Sequence, residues 1–419
     1  MKPNAIVSFT GKKEINTEIH LTGSKSESNR ALIIAAISNG LVQVENLSDA
    51  DDTVTLNQAL DLLKNRDKNS LHTIDVGPAG TAMRFLTAYL TTIEGQFLLT
   101  GSKRMKERPI KLLVDALISL NASIEYQSIE GYPPLLIKGG LEQTSGKVSI
   151  KGDVSSQYIS ALLIIASSLP SGLSLEIEGE LTSRPYVEMT LKMLEEAGIQ
   201  HSWEGNTISI VQQPYLPSLL TVEPDWSACS YWYSIAALAA QSDITLPNLK
   251  AQSLQGDSRI QEIMVQLGIS TSRKDNGIRI VKTTEPQRAT EALNLKDCPD
   301  LAQTIIVCAA ALGLELTFTG LETLKIKETN RVKALQNELA KIGVALIEEK
   351  EFYSLDCSKL HFPEKVLFRT YDDHRMAMAF APLGLIIPEV EIEDFHVVEK
   401  SYPDYWKDLR KAGFTINEL

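Results

Sequence analysis

The sequence predicts an α/β protein of two similar domains, each holding three copies of one repeated unit, with the helices buried and the sheets outside. Two observations lead there. A short, almost wholly apolar helix followed by a turn and a strand recurs six times along the chain. An amphipathic helix, closed by Gly or Asn and followed by alternating strands, also recurs six times. A third observation sets the scale: 419 residues, 43% hydrophobic and 22% charged, suffice for two cores.

The apolar helices fall at 31–40, 85–95, 159–169, 231–241, 301–313 and 376–386, and strands follow at 41–47, 96–100, 173–178, 244–249, 314–320 and 390–395. A helix that is apolar all round must be covered on every side, so six of them imply buried parallel bundles beneath outer sheets. An ordinary doubly wound sheet also alternates strands and helices, but it leaves one face of each helix in water. The amphipathic helices fall at 54–63, 110–120, 191–198, 260–268, 335–343 and 405–413. Their apolar residues, at helical spacing, face a core, and a closing Gly supplies the left-handed stop. Three pairs per domain, at roughly 70 residues per pair, put the domains at 23–223 and at 1–22 with 224–419. The chain crosses near Glu223-Pro224-Asp225, and again near 21–23 if the first strand pairs with the C-terminal half. A ligand is expected in the cleft between two such globules.

The formal net charge of −12 argues against nucleic acid as a partner, yet leaves room for a cationic cleft that takes a small anion. Cys229, Cys298, Cys308 and Cys357 show no metal-ligand or Cys-x-x-Cys spacing, and Cys308 sits in an apolar run that reads as core. Four free thiols suit a reducing cytoplasm. Residues 1–23 contain no apolar leader core, and no run approaches the ~18–20 apolar residues of a membrane span. A cytoplasmic, soluble protein without a membrane partner is expected. No glycine-rich nucleotide loop appears, so no nucleotide cofactor is expected either.

Basic residues recur in one local setting. Lys25 and Arg30 lie in Gly23-Ser24-Lys25-Ser26-Glu27-Ser28-Asn29-Arg30, and Arg108 in Arg104-Met105-Lys106-Glu107-Arg108-Pro109. Lys327 and Arg331 lie in Lys327-Glu328-Thr329-Asn330-Arg331, Arg375 in Asp372-Asp373-His374-Arg375, and Lys400 in Glu399-Lys400-Ser401-Tyr402-Pro403. Each group stands just ahead of a predicted helix. A cation beside a helix N-terminus, with hydroxyls and free N–H groups nearby, suits a phosphate or carboxylate. Five such places predict one or two ligands with several negative charges. Asp51-Asp52 reads as a solvated turn and helix cap, Trp226 and Trp232 as packing residues, and His20, His72, His201, His361 and His396 as structural or exposed.

The stretch from Gly23 to Leu32 resembles the N-terminal signature of the 5-enolpyruvylshikimate-3-phosphate synthases. The resemblance runs in register to the C-terminus, through Gly80-Thr81-Ala82-Met83-Arg84, Leu99-Thr100-Gly101, Arg104 to Ile110, Ser155-Ser156-Gln157-Tyr158 and Ser183-Arg184-Pro185-Tyr186. It continues through Pro299-Asp300, Lys327 to Arg331, Asp373-His374-Arg375-Met376 and Lys400-Ser401-Tyr402-Pro403-Asp404. It implies a two-domain inside-out α/β barrel of six βαβαββ repeats. It also implies transfer of the enolpyruvyl group of phosphoenolpyruvate to the 5-hydroxyl of shikimate 3-phosphate by a monomer, with no metal or cofactor. Asp300 would be the base for the attacking hydroxyl, Glu328 would handle the methylene proton, and Lys25 would share that work. Shikimate 3-phosphate would be held by Lys25, Ser26, Arg30, Ser155, Ser156, Gln157, Ser183, Tyr186, Asp300, Thr323 and Lys327. Phosphoenolpyruvate would be held by Lys25, Gly80, Thr81, Arg108, Gln157, Arg331, His374, Arg375 and Lys400. Arg suits a planar carboxylate through paired bonds, whereas Lys acts as a point charge.

Departures from the family pattern bear on the donor side. Pro78 stands in place of a usual Asn and removes an amide and a backbone donor. Phe85 stands in place of a common Pro, which leaves sensitivity to the inhibitor glyphosate open. Thr323 replaces a frequent Asn, and the stretch 60–76 is short enough to have lost a strand pair. The sister enzyme, UDP-N-acetylglucosamine enolpyruvyl transferase, shares the architecture but lacks the Lys-Ser-x-Ser-Asn-Arg signature and carries a loop Cys, whereas no Cys falls in the first half here. A catalytically silent relative would be expected to have lost Asp300, Glu328 or Lys25, and all three are present.

Overall fold

The computed structural model of the chain describes residues 3–283 and 291–419. Two compact units emerge, a discontinuous one of Met1–Thr22 with Pro224–Leu419 and a continuous one of Gly23–Glu223. Each has its own apolar core. Among the described residues, twelve α-helices alternate in character along the chain. In the continuous unit they are α1 (Lys25–Ile37), α2 (Asp51–Lys64), α3 (Gly80–Thr92), α4 (Lys111–Ser119), α5 (Ser156–Ala166) and α6 (Arg184–Glu196). In the discontinuous unit they are α7 (Trp226–Leu238), α8 (Ile260–Val265), α9 (Ala302–Ala311), α10 (Arg331–Leu339), α11 (His374–Phe380) and α12 (Tyr405–Lys411). No residue of the six odd-numbered helices is exposed, the outcome demanded by helices apolar on all sides. The even-numbered ones keep a wet face. Trp226, Trp232 and Cys308 are core residues. None of the described helices is long and apolar enough to cross a membrane.

Five of the six buried helices start earlier than their apolar runs suggest; α9 starts at Ala302. Ser24, Ser155, Asp225 and Asp373 cap α1, α5, α7 and α11 by accepting from Glu27, Gln157, Ala228 and Arg375 backbone N–H groups. The caps satisfy orphan donors and draw the polar motifs into the first helical turn. So Lys25 and Arg375 are helical residues, not residues ahead of a helix, and so is Arg331, which opens α10 behind the cap Asn330. The last apolar run is not one helix: α11 passes into a 3-10 turn, Ala381–Leu385, where Pro382 has no N–H to give.

Among the described residues each unit carries three sheets, and none of these six closes into a barrel. Four of the odd helices cross between parallel neighbours in a sheet; α5, for example, joins Lys147–Lys151 to Leu173–Glu178. A hairpin then completes four of the sheets to four strands, and the N-terminal and C-terminal strands complete a fifth. The sixth has two strands only, Val42–Glu45 and Ser218–Thr221. Its hairpin is missing because α2 ends at Lys64 and the next strand, Leu71–Asp75, begins after residues 65–70. The N-terminal strand Ala5–Ser8 lies between Glu389–Ile392 and Thr415–Glu418, within the discontinuous unit.

Ser24 N donates to Glu223 O at 2.7 Å in the continuous unit, and Asp225 N donates to Thr22 O at 3.0 Å in the other. Gly23 sits beside this junction, where a Cβ would lie 2.1 Å from Asn46 O. Gly23→Ala is expected to lower the unfolding free energy by about 2 kcal/mol, read as a lower midpoint in urea at unchanged m-value.

Candidate active site

In the continuous unit the first turns of α3 and α5 meet. Gln157 Nε2 donates to Thr81 Oγ1 at 3.2 Å. The Arg108 guanidinium lies directly over Gly80, where a Cβ would be 2.5 Å from Nη1 and would displace the guanidinium. Arg108 is buried, and its Nε has no hydrogen-bond partner. A buried guanidinium with an unsatisfied donor against the N-terminus of a helix is suited to an anion. The turn before α3 is closed on both sides of Pro78, by Gly77 N to Asp75 Oδ1 at 2.8 Å and Ala79 N to Val76 O at 2.9 Å. The exposed Pro78 leaves that turn intact.

Lys25, on the first turn of α1, lies 3.6 Å from Asp52 Oδ2. Asp52 is not the solvated residue expected: it is buried on the inner face of α2, while Asp51 is exposed and Ala50 is the cap. Ser26 follows Lys25, and Ser155 and Ser156 open α5. Ser183 is the residue before α6, held at φ +55° in the left-handed region. Arg30 points into the bundle. It donates to Thr190 Oγ1 at 2.7 Å, Ser26 O at 2.8 Å, Ser160 Oγ at 3.0 Å and Tyr186 O at 3.2 Å. Its Cζ stands 5.5 Å from the Phe85 ring centroid and 6.0 Å from that of Tyr186. Burial pushes its pKa down to about 10, so it stays charged at neutral pH.

In the discontinuous unit the site is built around Arg331, the first residue of α10. Its Nε donates to Asp373 Oδ2 at 2.7 Å, its Nη1 to Asp300 Oδ1 at 3.1 Å and its Nη2 to Glu328 Oε2 at 2.9 Å. The other oxygens of the last two carboxylates meet further cations. Asp300 Oδ2 is 2.8 Å from Arg375 Nη2, and Glu328 Oε1 is 3.1 Å from Lys400 Nζ. Burial acts to lower the Arg331 pKa, but the three carboxylates outweigh it and hold the guanidinium above its ordinary value. The Asp373 side chain is fully buried, whereas Asp300 and Glu328 are 22% and 15% exposed. Asp373 thus balances the buried cation, and the other two carboxylates can face a ligand.

The segment leading into α11 is strained, with Tyr371 and Asp372 both at φ +56°. Arg369 N and Tyr371 Oη, both donating to the buried Glu338, hold it there. His374 is buried, with Nδ1 3.7 Å from Asp373 Oδ1. Thr323 and Lys327 lie on the 3-10 turn, and at its end, that precede α10.

Several supporting residues escaped the sequence reading. Asp257, on the short turn Gly256–Arg259, hydrogen-bonds Ser227, whose Oγ accepts from Arg375 Nη2 at 3.4 Å. Tyr231 Oη accepts from Arg375 Nη1 at 3.3 Å. Burial pushes the Asp257 pKa up to about 7, helped by the Asp300 charge and opposed by Arg375. Only Asp373 stood in a quoted motif; Asp257 and Tyr231 meet Arg375 through the fold alone.

Two α/β units with cations at buried helix starts define a protein that handles small polyanions. The family model described as EPSP synthase (3-phosphoshikimate 1-carboxyvinyltransferase) matches residues 9–409. A 3-phosphoshikimate 1-carboxyvinyltransferase of Bacteroides fragilis is 48% identical over 411 residues, covering 97% of this chain and 98% of the relative. One of Colwellia psychrerythraea is 35% identical over 426 residues, covering 96% and 97%. A solved EPSP synthase of Acinetobacter baumannii has the same fold, with a TM-score of 0.77 at 20% identity over 99% of this chain and 100% of that one. The chain belongs to the EPSP synthase family.

The raised Asp257 pKa has a consequence for stability. From about pH 4, where an unfolded Asp ionises, to its folded pKa of about 7, the folded chain retains a proton that the unfolded chain has lost. This group therefore lowers stability as pH rises through that window. Asp257→Asn removes the term and is expected to be more stable relative to wild type at pH 8 than at pH 5. Urea unfolding at the two pH values reads the difference.

Proposed function

We infer that the protein transfers the enolpyruvyl group of phosphoenolpyruvate to the 5-hydroxyl of shikimate 3-phosphate, releasing phosphate by addition and elimination through a tetrahedral intermediate. This serves aromatic amino acid biosynthesis. The observation that carries the mechanism is the sharing of Arg331 between Asp300 and Glu328, each bridged to a second cation. Addition needs a base for the hydroxyl and an acid for the enol methylene, and both must be fixed in place. Asp300 takes the hydroxyl proton as the new C–O bond forms. Glu328 delivers a proton to the methylene carbon and recovers it as the C–O bond to phosphate breaks, the proton held by Asp300 leaves with the phosphate, and Lys25 is able to share in either transfer.

Arg108, Arg331, Arg375 and Lys400 receive the carboxylate and phosphate of the donor and steady the charge of the intermediate. The unsatisfied Arg108 Nε supports this reading for one of them. Gly80, Thr81, Gln157 and His374 complete the donor site. Ser26, Ser155, Ser156, Gln157, Ser183, Tyr186, Thr323 and Lys327 hold shikimate 3-phosphate. Arg30 contributes through its one N–H that is not already committed inside the unit. The buried free thiols Cys229, Cys298 and Cys308 support a reducing cytoplasm as its setting. One chain carries all these residues, so a monomer suffices as the catalytic unit.

The test is phosphate release from phosphoenolpyruvate without added metal, comparing shikimate 3-phosphate with UDP-N-acetylglucosamine as acceptor. Release with shikimate 3-phosphate alone is expected; release with the nucleotide sugar alone, or with neither, overturns the assignment. Lys25→Ala, Asp300→Ala and Glu328→Ala should each lower kcat by about two to four orders of magnitude and leave the circular dichroism spectrum unchanged. Undiminished turnover in any of them removes that residue from the mechanism.

A further inference from the structure

We propose that Tyr158 is a positioning residue for the donor side of the site, acting through its hydroxyl on the loop that carries Arg108. This rests on the assignment of Arg108 to phosphoenolpyruvate. Tyr158 lies on the second position of α5 after Ser156, is buried, and donates from Oη to Pro109 O at 2.5 Å. The same carbonyl accepts from Arg84 Nη2 at 3.2 Å, so both of its lone pairs are used. Arg84 in turn donates to Gly80 O at 3.1 Å, and Arg108 lies over Gly80.

The backbone on either side of Arg108 is otherwise tied by Arg108 N to Met105 O at 3.1 Å and Ile110 N to Gly131 O at 2.9 Å. Pro109 offers no N–H of its own. Its carbonyl is therefore the handle by which the bundle fixes the loop next to the guanidinium, and Tyr158 makes the shorter of the two bonds. Neighbouring Gln157 reaches Thr81 on the first turn of α3. Two adjacent residues of α5 thus brace the α3 end and the Arg108 loop, while Ser155, the cap of the same helix, is untouched by the Tyr158 hydroxyl.

Tyr158→Phe deletes one oxygen and keeps the ring, so the core packing and the Ser155 cap persist. Steady-state phosphate release separates the outcomes. The expected result is a KM for phosphoenolpyruvate raised about fivefold, the equivalent of one lost hydrogen bond, with KM for shikimate 3-phosphate and kcat within twofold of wild type. A KM for phosphoenolpyruvate that does not move, or an equal rise in both KM values, overturns the proposal, the second outcome being that of a merely structural contact. Failure of the wild-type protein to release phosphate at all would instead strike the functional assignment and not the role of Tyr158.

Discussion

A helix with no exposed face can meet a ligand only at its ends, and six helices of this protein are of that kind. Their burial determines where chemistry can be placed. The C-terminal and middle turns are apolar and packed, while the N-terminal turns carry Lys25, Ser156, Thr81, His374 and Arg375. Those turns also present the positive end of the helix dipole. A chain with a net charge of −12 can therefore hold compact cationic sites without becoming a basic protein.

The two units use this constraint differently. In the discontinuous unit the cations arrive already paired: Arg331 with Asp373, Asp300 and Glu328, Arg375 with Asp300, and Lys400 with Glu328. Such pairing offsets the desolvation of buried charge, and the same salt bridges orient the two carboxylates proposed as acid and base. In the continuous unit Arg108 is left with an unsatisfied donor against Gly80, the arrangement of a group that awaits an anion. Arg30 shows a third use of a buried cation. Its hydrogen bonds tie α1 to Thr190 and Ser160 on α6 and α5, and its Cζ stands over the Phe85 ring.

Much of this was legible in the sequence for physical reasons. Six apolar runs and six amphipathic ones have only a few packings that bury the first and wet the second, and the short stretch after α2 signalled the missing hairpin. The helix starts were not legible, because caps such as Ser24 and Asp373 convert polar residues into helical ones. Asp52 was misread since a pair of acids looks solvated, whereas adjacent helix positions point to different faces and only Asp51 remains in water. Asp257 carried no local signal at all; it is brought to Ser227 and Arg375 by contacts between distant segments.

The most direct measurement is a crystal structure of the protein with shikimate 3-phosphate and an unreactive analogue of phosphoenolpyruvate. The account predicts the analogue's carboxylate and phosphate within hydrogen-bond distance of Arg108, Arg331, Arg375 and Lys400, and the acceptor's 5-hydroxyl beside Asp300. Both ligands bound away from these helix starts, with the Arg108 Nε still without a partner, would contradict it.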